Sequence, residues 1–161
     1  MDHVDSEKRS AIMRAVASKN TKPEMTVRRL LHAMGYRYRL HVKDLPGRPD
    51  IVFRSRKKVI FVHGCFWHRH IGCRYATTPK TRVDFWQSKF DANVERDRRN
   101  VSDLEKAGWE VMTIWQCELK RGALHLEDRL QSFLDDRSAD ALSTVPTLSC
   151  NHQSRLSESS A

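Results

Sequence analysis

Apolar positions along the chain alternate between two periods. Val27, Leu30, Leu31 and Met34 recur at i, i+3, i+4 and i+7 and so share one face of a helix. Thr21 and Glu24 form a capping box ahead of that run, Pro23 suits an early helical position, and Gly35 is a natural stop. A weaker set, Ile12, Met13 and Val16, predicts a short helix within residues 6–17 that exposes Arg9 and Arg14. Beyond Gly35 the period falls to two. Tyr36, Tyr38 and Leu40 alternate with Arg37 and Arg39, which predicts a half-buried strand. Residues 45–49 carry two prolines and a glycine and read as a turn. Asp50-Ile51-Val52-Phe53 predicts a short buried strand opening on an acid. After a basic turn over residues 54–58, Val59-Ile60-Phe61-Val62 predicts another strand.

A long helix is expected over residues 82–107, capped by Thr81, with Val83, Trp86, Phe90, Val94, Val101 and Leu104 as its apolar stripe. Asp97 occupies the stripe position between Val94 and Val101. Gly108 ends the helix, and residues 109–115 predict a third buried strand, followed at once by Cys117. Leu126, Leu130 and Leu134 mark a last helix over about residues 124–135. From Ser138 the chain is serine-rich and aperiodic, which predicts a disordered tail. The order of elements gives an α/β fold, a mixed sheet flanked by helices, in one domain over residues 1–137 with a tail over 138–161.

Composition narrows the function. Hydrophobic residues make up 39% of the 161 and charged residues 30%, enough apolar surface for most of the chain to bury a core. The net charge of +9 fits a polyanionic partner such as nucleic acid or an anionic membrane. No stretch approaches the roughly 20 apolar residues of a membrane span, and the charged first residues lack the core of a signal peptide. A cytoplasmic protein is therefore expected. In a reducing compartment the four cysteines, Cys65, Cys73, Cys117 and Cys150, would bind metal or stay reduced.

Cys65, His70 and Cys73 fall within nine residues, which suits one loop wrapped around a metal. Cys117 would complete a tetrahedron from the end of a distant strand, making a zinc site with no open position and hence a structural one. The alternatives are unrelated buried thiols, or Cys150 as a ligand in place of His70. Asp50, after Pro49 at a strand start, offers a hard carboxylate oxygen for magnesium beside a phosphate. Such an acid before a second strand is the layout of restriction endonucleases, although here His63 stands where that layout has a lysine. His63 and His68 can move protons near neutral pH. Asp97 on an apolar stripe needs a partner, either one of these histidines or a cation such as Arg98. Phe66 and Trp67, adjacent in a glycine-containing loop, suit a wedge between base pairs or a cover for the metal loop; spacing leaves both readings open.

The run His63-Gly64-Cys65-Phe66-Trp67-His68-Arg69-His70, the upstream Leu45-Pro46-Gly47-Arg48-Pro49-Asp50 and the segment Asn93-Val94-Glu95-Arg96-Asp97 together resemble the Vsr (very-short-patch-repair) mismatch endonucleases, as do Arg9-Ser10 and Met13-Arg14-Ala15. The likeness runs in order over about residues 5–135. It implies a restriction-endonuclease-like fold with structural Zn2+, and a Mg2+-dependent nick 5′ of the thymine in a T:G mismatch left by 5-methylcytosine deamination. It implies that Asp50 and the main-chain oxygen of Val62 ligate magnesium, that His63 and His68 act at the phosphate with Asp97 orienting one of them, and that Glu24 reaches the hydrated metal. Cys65, His70, Cys73 and Cys117 would hold zinc. Phe66, Trp67 and Trp86 would enter the DNA stack, with the segment at Met13 and Arg14 clamping the opposite groove. The expected partner is double-stranded DNA bound by a monomer, with mismatch-repair proteins as further candidates. The rivals are a restriction endonuclease of intact duplex, which would lack the reason for these histidines, and a zinc DNA-binding module, which gains nothing from carboxylates near phosphates.

Overall fold

The computed structural model describes residues 19–120 and 123–135. In chain order its elements are helix α1 (Lys22–Ala33), strands β1 (Arg39–Leu40), β2 (Ile51–Phe53) and β3 (Lys58–His63), helix α2 (Val83–Lys106), strand β4 (Glu110–Trp115) and helix α3 (Ala123–Asp135), with 3-10 turns at Arg54–Arg56 and Glu118–Lys120. The strands form one sheet in the order β1-β2-β3-β4. β3 runs antiparallel to β2 and parallel to β4.

Alternation along the central strands sorts the core into two layers. Ile51, Phe53 and Ile60 pack with Val27 and Leu31 of α1 and Leu126, Leu130 and Leu134 of α3. Val52, Val59 and Phe61 pack with Val42 and with Leu104 of α2. Each such side chain contributes about 1.5–3 kcal/mol by leaving water. A strand buried on both faces reads as a continuous apolar run, which is why residues 59–62 carry no polar alternation.

α1 forms as expected. Glu24 N–H bonds the Thr21 hydroxyl at 3.4 Å and Thr21 N–H bonds the Glu24 carboxylate at 3.3 Å, closing the capping box. Three expectations need correction. The strand expected from Tyr36 reduces to Arg39–Leu40, and Leu40 lies exposed at the sheet edge. Tyr36 and Tyr38 instead set their rings edge-on to Phe53, at 6.2 and 6.1 Å, so tertiary packing and not strand pairing explains that alternation. Thr81 does not cap α2: Arg82 holds that position at φ 53 with no side-chain cap, and Val83 at the head of the stripe is about half exposed. The strand at 109–115 begins at Glu110, and only Ile114 in it is fully buried, because β4 is an edge strand. The expected helix at 6–17, with Met13 and Arg14, the tail and Cys150 lie outside the described residues. Among the described residues no helix is long and apolar enough to cross a membrane.

The parallel pairing positions the site. β3 and β4 match from Lys58↔Glu110 to His63↔Trp115, and the Gln116 N–H carries the ladder one step further to His63 O at 2.9 Å. The segments after His63 and Trp115 therefore leave the sheet side by side, while α2 crosses from one strand to the other.

Candidate active site

Cys65 and Cys117 stand two residues beyond the paired ends of β3 and β4, and this brings them together. Between them the loop turns back on itself: His70 N–H bonds Cys65 O at 3.1 Å and Cys73 N–H bonds His70 O at 3.2 Å. His70 Nδ1 lies 3.2 Å from Cys117 Sγ and 3.8 Å from Cys65 Sγ, and its ring stacks on Trp115 at 4.2 Å. One ligand atom from each of Cys65, His70, Cys73 and Cys117 fits within 4.8 Å of the others. Tetrahedral zinc, with bonds of about 2.0–2.3 Å, sets its ligands roughly 3.5–3.8 Å apart, so this donor set fits that ion. Burial pushes the Cys65 thiol up to about 12, while the Tyr75 backbone N–H draws Cys73 down. A divalent cation would offset the cost of ionising Cys65 in that setting. The grouping of these four, expected from spacing, is present. Arg69, at φ 53, fastens the loop: its guanidinium lies over Phe90 of α2 at 4.5 Å and bonds Ala76 O at 2.9 Å.

His68 sits inside this loop, and its N–H bonds Gly64 O at 3.1 Å. Its Nδ1 meets Asp97 Oδ2 at 2.5 Å, so Asp97 pairs with His68, while Arg98 turns to Glu95 at 3.8 Å. The imidazoles of His63 and His68 stack 3.9 Å apart within 9° of parallel. Burial, then the neighbouring His68, lowers the pKa of His63 to about 4, so it is neutral at ordinary pH. Burial alone would raise Asp97, but the His68 hydrogen bond, together with the charges of His68 and Arg96, outweighs it and holds the carboxylate below its usual range.

Asp50 ends the turn over residues 45–49. Its Oδ2 accepts the Val62 N–H at 2.8 Å, tying the carboxylate to the central strand through the Val62 nitrogen. Burial raises its pKa, against the Val62 bond and the positive charges of His41, Arg28 and His68. Glu24, buried in the first turn of α1, pairs with Arg28 and lies 3.1 Å from His41 Nε2. His41 Nδ1 is 3.9 Å from Asp50 Oδ1. Glu24, His41 and Asp50 thus form a further group able to hold a metal ion, besides the Cys/His cluster and the His63-His68-Asp97 group, and two carboxylates suit a hard divalent cation.

The His63-His68-Asp97 group and the Glu24-His41-Asp50 group open on one cleft of about 990 Å³. Cations ring it: Lys19, Arg48, Arg82, Lys89 and Arg96. Trp67, Phe85 and Trp86 give it an aromatic lining, against which Phe66 packs from outside the cleft. Phe66 packs edge-on to Trp67, Trp86 and Phe90 at 5.0–5.7 Å, and Asn93 Nδ2 bonds Trp67 O at 3.0 Å. Trp86 is buried in this cluster, whereas Phe85 beside it is half exposed beneath Arg82.

A family profile described as "DNA mismatch endonuclease Vsr" matches residues 1–74. The chain is 56% identical over 135 residues to the type II nicking enzyme V.XorIIP of Xanthomonas oryzae pv. oryzae, covering 83% of this chain and 97% of that one. It belongs to the Vsr family. The DNA mismatch endonuclease Vsr of Escherichia coli is 42% identical over 142 residues, 85% of this chain and 90% of that protein. The catalytic domain of the homing endonuclease I-Bth0305I superposes with a TM-score of 0.53 at 22% identity, over 74% of this chain and all of that one. That likeness concerns the fold alone, and it bears out a restriction-endonuclease-like α/β architecture. Membership of that family makes the protein a DNA-nicking hydrolase.

His41, Asn93 and Phe85 are among the residues of this Vsr-family site that escaped the sequence reading. His41 carried no periodic signal, since it stands in a loop at φ 46, outside any helix or strand. Asn93 had one: it lies three residues after Phe90 on the buried side of α2. Phe85 sits off the stripe and becomes visible only once Trp86 is seen to turn inward.

Proposed function

We propose that the protein nicks one strand of duplex DNA 5′ of a thymine mispaired with guanine, the product of 5-methylcytosine deamination, and so begins very-short-patch repair. The observation that carries this reading is one cleft lined by Asp50, His63 and His68, with Asp97 bonded to the far side of His68. Asp50 and the main-chain oxygen of Val62 would hold magnesium, with Glu24 reaching the waters around it. When bound, that ion supplies charge neutralisation at the scissile phosphate and a more acidic water. Asp97 fixes a proton on Nδ1 of His68 and leaves Nε2 to exchange a proton with the reacting groups. His63, neutral and stacked behind it, presents an uncharged ring to the phosphate side. The Cys65-His70-Cys73-Cys117 cluster, holding zinc, stiffens the loop that carries His68. The ring of cations takes the DNA backbone, and Phe66, Trp67 and, once turned out of the cluster that buries it, Trp86 enter the stack beside the mismatch, where a wobble pair resists distortion less than a matched one. Met13 and Arg14 would close on the opposite groove, and one monomer suffices for one nick.

The test is single-turnover nicking of end-labelled T:G, T:A and C:G versions of one site, with and without magnesium, across varied flanks. Nicking is expected only in the thymine strand of T:G duplexes, and Asp50→Ala is expected to abolish it with DNA binding retained. Equal nicking of T:A duplex, or near-native turnover by Asp50→Ala, would overturn the assignment.

A further inference from the structure

Outside the cleft, two cations converge on one phenol. Tyr75 stands just past the loop that carries Cys73, and Lys120 closes the 3-10 turn that follows Cys117, its N–H bonding Cys117 O at 3.2 Å. The Arg74 guanidinium lies 4.9 Å and the Lys120 ammonium 4.1 Å from the centre of the Tyr75 ring. Arg74 Nη2 also donates to the Tyr75 hydroxyl at 2.8 Å. Among the described residues no carboxylate pairs with either cation; Glu118, in the same turn as Lys120, is taken by Arg129. Like charges gathered at one place repel unless an anion answers them, and the ring face offsets only part of that cost.

The hydrogen bonding selects the kind of anion. The phenol oxygen accepts from Arg74, so its own hydrogen is left to donate outward. A guanidinium and an ammonium donate and never accept. The three groups therefore offer donors alone. A base edge presents donors and acceptors mixed, whereas a backbone phosphate only accepts and stays charged. Placement selects the source. His68 and Gln116 both line the cleft, and the chain runs from each of them through a ligand of the Cys/His cluster, Cys73 or Cys117, to Arg74 or Lys120. From Gln116 to Lys120 it can span at most about 14 Å. Each strand of a duplex carries a phosphate every 3.4 Å or so of axis, so those about four base pairs or fewer beyond the cleft fall within reach.

We propose that Arg74, Tyr75 and Lys120 form a phosphate site outside the cleft, which takes one backbone phosphate of the duplex whose scissile bond lies within it. The proposal rests on the cleft as the seat of duplex DNA. The segments that carry Arg74 and Lys120 meet at the Cys/His cluster, on the same loop as His68, so this contact sets the register of the duplex against the imidazole at its scissile phosphate.

The test is duplex affinity against salt for the full chain, on T:G and T:A forms of one duplex. In Arg74→Gln/Lys120→Gln the slope of log K against log salt should be shallower than native by about 0.9, the effect of one phosphate contact. The change should be equal on the two duplexes, since a backbone contact reads no base. Lys57→Gln/Lys106→Gln removes the same charge beside the start of β3 and the end of α2, and should keep the native slope. Tyr75→Phe keeps the ring and both cations and should weaken binding by about 2–10-fold, the loss of one hydrogen bond. Replacing phosphates one at a time by neutral methylphosphonates locates the contact on the DNA with the native protein. One position beyond the cleft should weaken the native chain and have no effect on the Arg74→Gln/Lys120→Gln chain. A native slope in that chain, an equal change in the Lys57→Gln/Lys106→Gln control, or the same methylphosphonate map for both chains would overturn the site. Failure of the mismatch reading has a different signature: equal nicking of T:G and T:A duplex with the slope change intact.

Discussion

Asp97→Asn isolates what the carboxylate does for His68. The replacement keeps size and shape, and the 2.5 Å contact to Nδ1 remains geometrically available. What changes is direction. The carboxylate only accepts, so it demands a hydrogen on Nδ1 and leaves the Nε2 lone pair facing the cleft. An amide can donate from Nδ2, which draws the lone pair to Nδ1 and places the hydrogen on Nε2. The substitution also removes a negative charge that the pairing with His68 keeps ionised below the usual carboxylate range, a charge that would stabilise His68 whenever it takes a proton. Positioned acid–base catalysis is worth about 10²–10⁴-fold, so the barrier should rise by roughly 3–5.5 kcal/mol. The assay is single-turnover nicking of a T:G duplex at saturating enzyme, with zinc content and duplex affinity measured on the same preparation. Both should match the native protein, because Asp97 touches neither the Cys/His cluster nor the aromatic wall. Nicking within about threefold of native, well under 1 kcal/mol, would show that His68 needs no orienting acid.

Cys117→Ala should lose bound zinc by elemental analysis and melt at a lower temperature, because its sulfur joins the loop to the sheet; retained metal with unchanged melting would rule out the ligand set. His63, buried and neutral, carries a pKa of about 4 against an unfolded value near 6.5, so the unfolded chain binds the extra proton between these limits. Stability should thus be full above about pH 6.5 and fall by on the order of 3 kcal/mol as pH drops toward 4, and His63→Gln should flatten that slope in denaturant titrations. Trp67→Ala should lower nicking and the T:G to T:A rate ratio together with zinc content unchanged; a ratio left intact would make the aromatic wall a packing device.

Much of this arrangement was legible because periodicity reports burial. The α1 capping box, the two-faced burial of β2 and β3 and the three leucines of α3 follow directly from pattern. The Cys/His cluster was legible for another reason: zinc chemistry demands a ligand type and a spacing, and few other causes put Cys65, His70 and Cys73 so close. What could not be read depends on direction. Asp97 was conspicuous on its stripe, but choosing His68 over His63 or Arg98 required the rotation of α2 against the loop. His41 was invisible, since its place comes from a left-handed backbone and from Arg28 on another element. The β4 expectation overstated burial because an edge strand and a central one differ by a neighbour, not by composition.

The level ends of β3 and β4 bear on how the chain finds its native pairing. Parallel strands separated by a whole crossover helix close a long loop before any contact rewards it, which makes such sheets slow to form and open to register errors. A slip of β4 by a single residue would move Cys117 by about 3.3 Å and turn it to the opposite face. The four-ligand cluster could not then close, whereas the apolar layers would still find partners among the valines and isoleucines. The cluster therefore serves as a checksum on strand alignment. Only the chain paired from Lys58↔Glu110 to His63↔Trp115 can complete it. Metal capture is then expected as a late event in folding, one that traps the correct register and leaves mispaired chains free to come apart and try again.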